Sequence, residues 1–566
     1  MVVARRTTTV LAVSLIAVLS CSVQALAGTP ARRPAAGTSS SLPSLAVAVH
    51  EATDLGPLPS GVRVGLTFAL RERDPSGLQA LLDRGGRLTP AQFASTYGPA
   101  PTLVASVRGV LAREGLSSQW EPGETLMSVT GSAAAVEHAL ALQIHRFVLR
   151  GSTRFYAPLT TPEPPKALSK EVVAVTGADD YPSQLTAASS SKDGLTPSQI
   201  ASFYDLTPLR SAGLDGSGMT VMFPEFAVPG TSVLSAYASK FGLPPFDVTV
   251  HTNPSWGQPA ASTSEASSEA ALDLEIVHGL APGAKEVVYE LGDATDLPQV
   301  VQAMVAANRG AVLSSSVGVN ACEATSGARQ YSLEISSAFA QAAAEGTSIF
   351  WASGDRGAFS CLPTGDASTE QEVSVGVEAD SPDVTAVGGT TVFLGSNGAY
   401  FKEASWGEPL ETWGSGGGIS TIFQQPSWQV APGLAAGSLG GRGVPDVAAN
   451  ADIVSGWDTF SPGQNGTEEG PVGGTSAATP CWAAITALID EDLAQLGLAA
   501  VGFANPTLYY FSHDPSGLPA VPFHQVSEGS NLHFLATAGW SPATGLGSPD
   551  AAHLADDFEW YDRNTR

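Results

Sequence analysis

The sequence predicts an α/β protein whose main domain is a doubly wound parallel sheet, preceded by a smaller α+β domain. Three observations carry this. Beyond residue 195, short and nearly continuous apolar runs alternate with Ala-rich helical stretches, as expected of strands buried on both faces with helices between them. Residues 45–181 read as a compact mixture of strands and amphipathic helices. Between the two, residues 182–194 are Ser/Ala-rich with little to bury, which fits an exposed, cleavable linker.

In chain order, residues 1–27 read as a secretory signal: Arg5 and Arg6, an apolar run over 10–19, then Ala25-Leu26-Ala27. Secretion to the extracellular space follows; Cys21 after Val18-Leu19-Ser20 leaves a lipid anchor as the minor alternative. Residues 28–44 are a flexible leader rich in Ala, Pro, Ser and Thr. In the first domain, 62–70 and 126–130 read as strands, and 75–84, 100–114 and 133–142 as helices. In the main domain, residues 195–566, the clearest strands are 219–223, 287–289, 311–315 and 347–351. Ligands of such sheets bind at loops beyond the strand ends.

With 54 acidic against 27 basic side chains and a formal charge of −27, the protein repels nucleic acids and anionic membranes. The same imbalance suits a molecule working in acid, where carboxylates protonate. No run after the signal is long and apolar enough to span a bilayer. In an oxidising compartment Cys322 and Cys361, each in a loop after a strand-like run, are the natural disulfide, leaving Cys481 as a buried thiol in the helix starting near it.

Three segments offer chemistry. Gly473-Gly474-Thr475-Ser476-Ala477-Ala478-Thr479-Pro480 leads into that helix, and a serine at a helix amino terminus sits where developing negative charge is favoured. Ser476 is the candidate nucleophile. Glu269 and Asp273 are four apart on one predicted helix, which stacks two carboxylates that can share a proton and act as a base in acid. The rival base, His278, falls on another side of that helix and reads as a packed or capping residue. Asp355, in Ala352-Ser353-Gly354-Asp355-Arg356-Gly357 after a strand, can donate to an oxyanion only while protonated. Taken singly, these segments also fit a cap, a solvated acidic face and an Asp turn.

Together they resemble the sedolisin family of serine-carboxyl peptidases. The resemblance extends to Leu88-Thr89-Pro90-Ala91-Gln92-Phe93, Val129-Thr130-Gly131, Leu195-Thr196-Pro197, Leu280-Ala281-Pro282-Gly283-Ala284, Ser415-Gly416-Gly417-Gly418-Ile419-Ser420 and Arg442-Gly443-Val444-Pro445-Asp446. It implies a subtilisin-like peptidase domain behind a ferredoxin-like activation domain that inhibits it intramolecularly. It further implies polypeptide substrates, cut within chains or as tripeptides from their ends, and an acyl-enzyme on Ser476. In that scheme Glu269 is the base, Asp273 orients it, Asp355 completes the oxyanion hole, Glu225 extends the carboxylate network, and Ser415 to Gly418 is an edge pairing with substrate backbone.

The sequence also departs from the family. Its calcium site uses two aspartates, and here Gln525 and Ser541 stand in their places, beside the remaining positions Val526, Thr537 and Gly539. Calcium wants anionic oxygen, so weak or no calcium binding is expected. Val317 stands where an aromatic residue is usual, and Arg356 is a cation that would lower Asp355's pKa if the two touch. These departures favour the alternative function, a non-catalytic secreted binding protein on the same fold.

Overall fold

The computed structural model describes residues 45–565 except 46–47, 50–51, 150–152, 182–187, 190–193, 254–255, 257–263, 293–295, 308–310, 320–321, 325–326, 362–371, 396–397, 409–411, 431–436 and 464–465. The signal, the leader and most of the linker lie outside the described residues.

The first domain has a four-stranded antiparallel sheet in which Arg63–Leu70 lies between Leu126–Ser132 and Val172–Gly177, with Ser117–Gln119 beyond Leu126–Ser132. With helices Pro101–Arg113 and Ala133–Leu140 in the two crossovers, this is the ferredoxin-like order. Two segments noted in the sequence are the same device: Thr89 and Thr196 each form a capping box with the glutamine three residues on, with proline in the first helical turn. Each satisfies orphan N–H groups and fixes where a helix begins.

The main domain holds an eight-stranded sheet. Its strands are β1 (Thr220–Glu225), β2 (Val248–Thr252), β3 (Lys285–Glu290), β4 (Val312–Ser315), β5 (Ser348–Ala352), β6 (Thr385–Leu394), β7 (Tyr400–Ser405) and β8 (Val447–Asn450). The order is β2-β3-β1-β4-β5-β6-β7, with β8 also on β6, and every pairing is parallel except β6 with β7. The hairpin β9 (Trp457–Gly463) and β10 (Gly466–Gly473) leads into the nucleophile segment. Helices α1 (Ser264–Leu280), α2 (Leu297–Ala307), α3 (Ala328–Ala344) and α4 (Thr475–Gln495) pack on the sheet. α4 is buried along nearly its whole length and forms the axis of the largest core.

The first domain docks on α2 and α3. Ala69, Leu126 and Ala174 of its sheet share a core with Leu297, Val301, Tyr331 and Ile335. Leu126 N–H donates to Gln302 at 3.1 Å, Leu88 N–H to the Ala344 carbonyl at 2.7 Å, and the Thr176 hydroxyl to Glu334. The Cys322–Cys361 disulfide is formed, with Cα atoms 5.0 Å apart, and Cys481 is a buried free thiol.

Candidate active site

The helix that carries Ser476 starts earlier than the sequence suggested. The helix expected to start near Cys481 begins at Thr475 and contains Pro480. Pro480 has no N–H to give the carbonyl of Ser476 one turn back. The Ser316 hydroxyl takes that place, donating to Ser476 O at 3.1 Å. Ser476 therefore occupies the first turn, where backbone N–H groups have no helical acceptor. Gly474 leads in at φ +108°, and a Cβ there would stand 2.8 Å from Asp355 Oδ2, so only glycine fits.

Glu269 and Asp273 lie one turn apart on α1, 2% and 0% exposed. Asp273 Oδ1 accepts from Ser316 Oγ at 2.7 Å. One hydroxyl thus touches both the Asp273 carboxylate and the Ser476 backbone. Glu225, the last residue of β1, is fully buried beside the charges of Asp273 and Glu269. Burial pushes Asp273 up to about 7, against the hydrogen bond from Ser316 that pulls it down. Burial, then the charges of Asp273 and Glu269, hold Glu225 well above the usual carboxylate range. Buried carboxyl groups that repel one another favour the protonated form, so the cluster is suited to hold protons.

Asp355 follows β5. Its Oδ1 accepts from the N–H and hydroxyl of Thr475 at 2.7 and 2.8 Å, which leaves Oδ2, on the Gly474 side, as the oxygen to carry a proton. Burial raises its pKa above the ordinary value, outweighing both Thr475 bonds and the attraction of Arg356. Arg356 was expected to lower that pKa. Its pull is present, yet smaller than the effect of burial, and its guanidinium stands 6.0 Å over the Trp413 ring.

His278 is a packed residue: its Nε2 meets Pro244 O at 2.8 Å and its ring stacks on Phe246. The Gly-rich stretch Ser415 to Gly418 packs behind the Asp355 loop. Ser415 to Gly418 are buried. Gly416 N–H donates to Gly354 O at 2.7 Å, its carbonyl accepts from Ser353 Oγ at 2.7 Å, and Ser415 Oγ bonds Gly389 N and Ala543 O. The stretch braces the Asp355 loop from behind, with Gly418 paired to Val444. Ser316, missed in the sequence, ends the run Ser314-Ser315-Ser316 at the tip of β4. Three hydroxyls at a buried strand end were its only signal.

At the calcium positions, Gln525 Oε1 accepts from Gly539 N at 2.7 Å, and the Ser541 hydroxyl is 3.1 Å from that of Thr544. The loop closes on itself with no carboxylate at either former aspartate. Among the described residues no cluster of His, Cys, Asp and Glu could hold a metal. This donor set does not fit calcium.

Residues 50–181 match the pro-kumamolisin activation domain and residues 251–501 the subtilase family. Kumamolisin of Bacillus sp. (strain MN-32) is 30% identical, with 89% of this chain and 93% of that protein covered. Sedolisin of Pseudomonas sp. (strain 101) is 29% identical over 90% and 89% of the two chains. Tripeptidyl-peptidase 1 of Canis lupus familiaris is 28% identical over 88% and 92%. Among solved structures, Pseudomonas sedolisin, a serine-carboxyl proteinase complexed with pseudo-iodotyrostatin, superposes with a TM-score of 0.56 at 27% identity, over 67% of this chain and 100% of that one.

Proposed function

This chain belongs to the sedolisin family of serine-carboxyl peptidases, and on that premise we propose that it is a secreted zymogen that hydrolyses peptide bonds in acid through an acyl-enzyme on Ser476. Glu269 takes the proton of the Ser476 hydroxyl as the oxygen attacks the substrate carbonyl. Asp273, protonated in acid, donates to Glu269 and fixes its orientation, with Glu225 behind it. Protonated Asp355 donates to the developing oxyanion together with the Ser476 N–H. Glu269 then delivers its proton to the departing amine, and water hydrolyses the ester by the same route.

The observation that carries this reading is the Ser316 hydroxyl, 2.7 Å from Asp273 and 3.1 Å from the Ser476 carbonyl, with Asp355 bonded to Thr475 next door. It supports one cleft shared by acids from three distant segments. The alternative of a non-catalytic binding protein loses one support, because burial outweighs the effect of Arg356 on Asp355.

The activation domain acts as the intramolecular inhibitor, held on α2 and α3 until the linker is cut. No helix of the described residues is long and apolar enough to cross a membrane, in keeping with export as a secreted protein. Acidified to about pH 4, where carboxylate bases are partly ionised, the full-length protein should shed its activation domain and degrade casein. Ser476→Ala should do neither, and its self-processing at the normal rate would defeat the proposal. We also propose that no calcium is resident. Calorimetry on metal-stripped protein should register no binding, and micromolar affinity would overturn this.

A further inference from the structure

Past the tip of β4, Ser316 is followed by Val317-Gly318-Val319. Val317 is 1% exposed and Gly318 is buried. Among the described residues, the Val317 N–H and both the N–H and the carbonyl of Gly318 have no hydrogen-bond partner, although buried backbone groups are paired almost without exception. Two extended residues span about 7 Å, so these groups stay close to Ser316, whose hydroxyl touches the Ser476 carbonyl.

The next residue is tied down. Val319 N–H donates to Glu378 Oε1 at 2.7 Å, and the Tyr331 hydroxyl of α3 donates to the same oxygen at 3.1 Å. Glu378 opens the 3₁₀ turn Glu378–Asp380, and its carboxyl lies against Gly318, where a Cβ would stand 2.9 Å from Oε2 and 3.0 Å from Cδ. The absence of a side chain at 318 is what lets the carboxyl come so close. The segment is therefore clamped at both ends, by Ser316 onto Asp273 and Ser476 and by Glu378 onto α3, with the unpaired groups between the clamps.

From this arrangement we infer that Glu378 is a positioning residue for peptide hydrolysis, holding the backbone of Val317 and Gly318 in place to pair with the main chain of an extended substrate. The inference rests on the peptidase reading above. The Gly318 carbonyl and the Val319 N–H belong to one planar trans peptide unit and point in opposite directions. Bonding that N–H to Glu378 therefore turns the carbonyl to the other side, where an incoming N–H can meet it. Main-chain pairing of this kind grips an extended peptide whatever its side chains. Glu378 touches none of the reacting atoms and acts only through the backbone it holds. In acid it is neutral, because burial raises it to about 7, and glutamine carries the same accepting oxygen.

The test compares acid-activated wild type with Glu378→Ala, Glu378→Gln and Gly318→Ala on two substrates. One is a blocked pentapeptide, the other the nitrophenyl ester of a single blocked amino acid, which can acylate Ser476 but has no extended main chain. Gly318→Ala, whose methyl group pushes the carboxyl off Val319, is the second perturbation should Glu378→Ala not fold. Both alanine variants should lose about tenfold in kcat/KM on the pentapeptide, mostly through KM, and stay within about twofold on the ester, as expected for one or two lost main-chain bonds. Glu378→Gln should match wild type on both. Equal losses on the two substrates, a peptide loss carried by kcat alone, no loss in either alanine variant, or a glutamine as poor as alanine overturns this inference and leaves the peptidase reading standing. Wild type inert towards both substrates, or Ser476→Ala as active as wild type, overturns both.

Discussion

Replacing Ser316 by alanine tests the linkage between Asp273 and the nucleophile helix. The change removes a 2.7 Å bond to Asp273 and the 3.1 Å bond to the Ser476 carbonyl, a carbonyl that Pro480 already deprives of its helical donor. A hydrogen bond contributes about 0.5–1.5 kcal/mol net between neutral groups and about 1.5–3 kcal/mol to an ionised one, and an orphaned buried carbonyl costs about 1–3 kcal/mol. The expected loss of stability is about 2 kcal/mol in acid and about 3 kcal/mol above neutrality. The pH dependence follows from Asp273, which burial holds up at about 7. A carboxyl raised on folding contributes stability that is full below its ordinary value of about 4 and is lost as pH rises through about 7. Losing Ser316, a donor that favours the ionised form, raises Asp273 further by about one unit at 1.36 kcal/mol per unit. The added penalty is therefore expressed above neutrality and fades in acid. Melting temperatures of wild type and variant at pH 4 and pH 8 measure it, with Ser316→Thr restoring the hydroxyl. At pH 4, kcat/KM should also fall by about tenfold, the equivalent of about 1.4 kcal/mol of lost positioning. Equal melting differences at the two pH values, or none, would refute the reasoning.

Two further substitutions probe other parts. Asp355→Asn installs a neutral donor that never titrates, so the upper limb of the pH profile should move up and the variant should keep a larger share of its activity at neutral pH; an unmoved limb means Asp355 is not the acid. Glu334, buried against Thr176 and Thr67 of the activation domain, is pushed up to about 8. It returns towards about 4.3 once that domain leaves, so its contribution to docking is full below that value and lost as pH rises through about 8. The cleaved activation domain should leave several-fold faster at pH 8 than at pH 5, as followed by light scattering, and Glu334→Gln should flatten that dependence; an unchanged dependence in the variant would count against it.

Much of this was legible before any coordinates. Strands buried on both faces leave unbroken apolar runs, so β1, β3, β4 and β5 fell within a residue or two of their expected places. Glu269 and Asp273 needed only the helical repeat. Errors arose where a local rule met a tertiary partner. The sequence places the helix start near Cys481, after Pro480, but the Ser316 hydroxyl just past β4, 160 residues away, supplies the donor that Pro480 lacks, and no window of sequence contains both. The packing of Ser415 to Gly418 against Ser353 and Gly354, where a Cβ on Gly416 would clash, depends on contacts that no local pattern in the sequence contains. Arg356 could not be weighed without the burial of its neighbour.

The acidity of the chain acts on the fold itself as well as on the reaction. Asp273, Glu378, Asp383 and Glu403 are all buried, and in each case burial is the main cause of a pKa raised to about 7. Each is favoured neutral, so each supports the fold below about pH 4 and withdraws that support as pH rises through about 7. Above that range they must ionise in place or the structure must open, while the −27 formal charge adds repulsion. On the proposed mechanism, the protons that Asp355 and Asp273 donate in the cleft are part of the same set that lets the surrounding core bury carboxyl groups. A variant engineered for neutral activity at the cleft alone would still be carried by a scaffold that is weakest there.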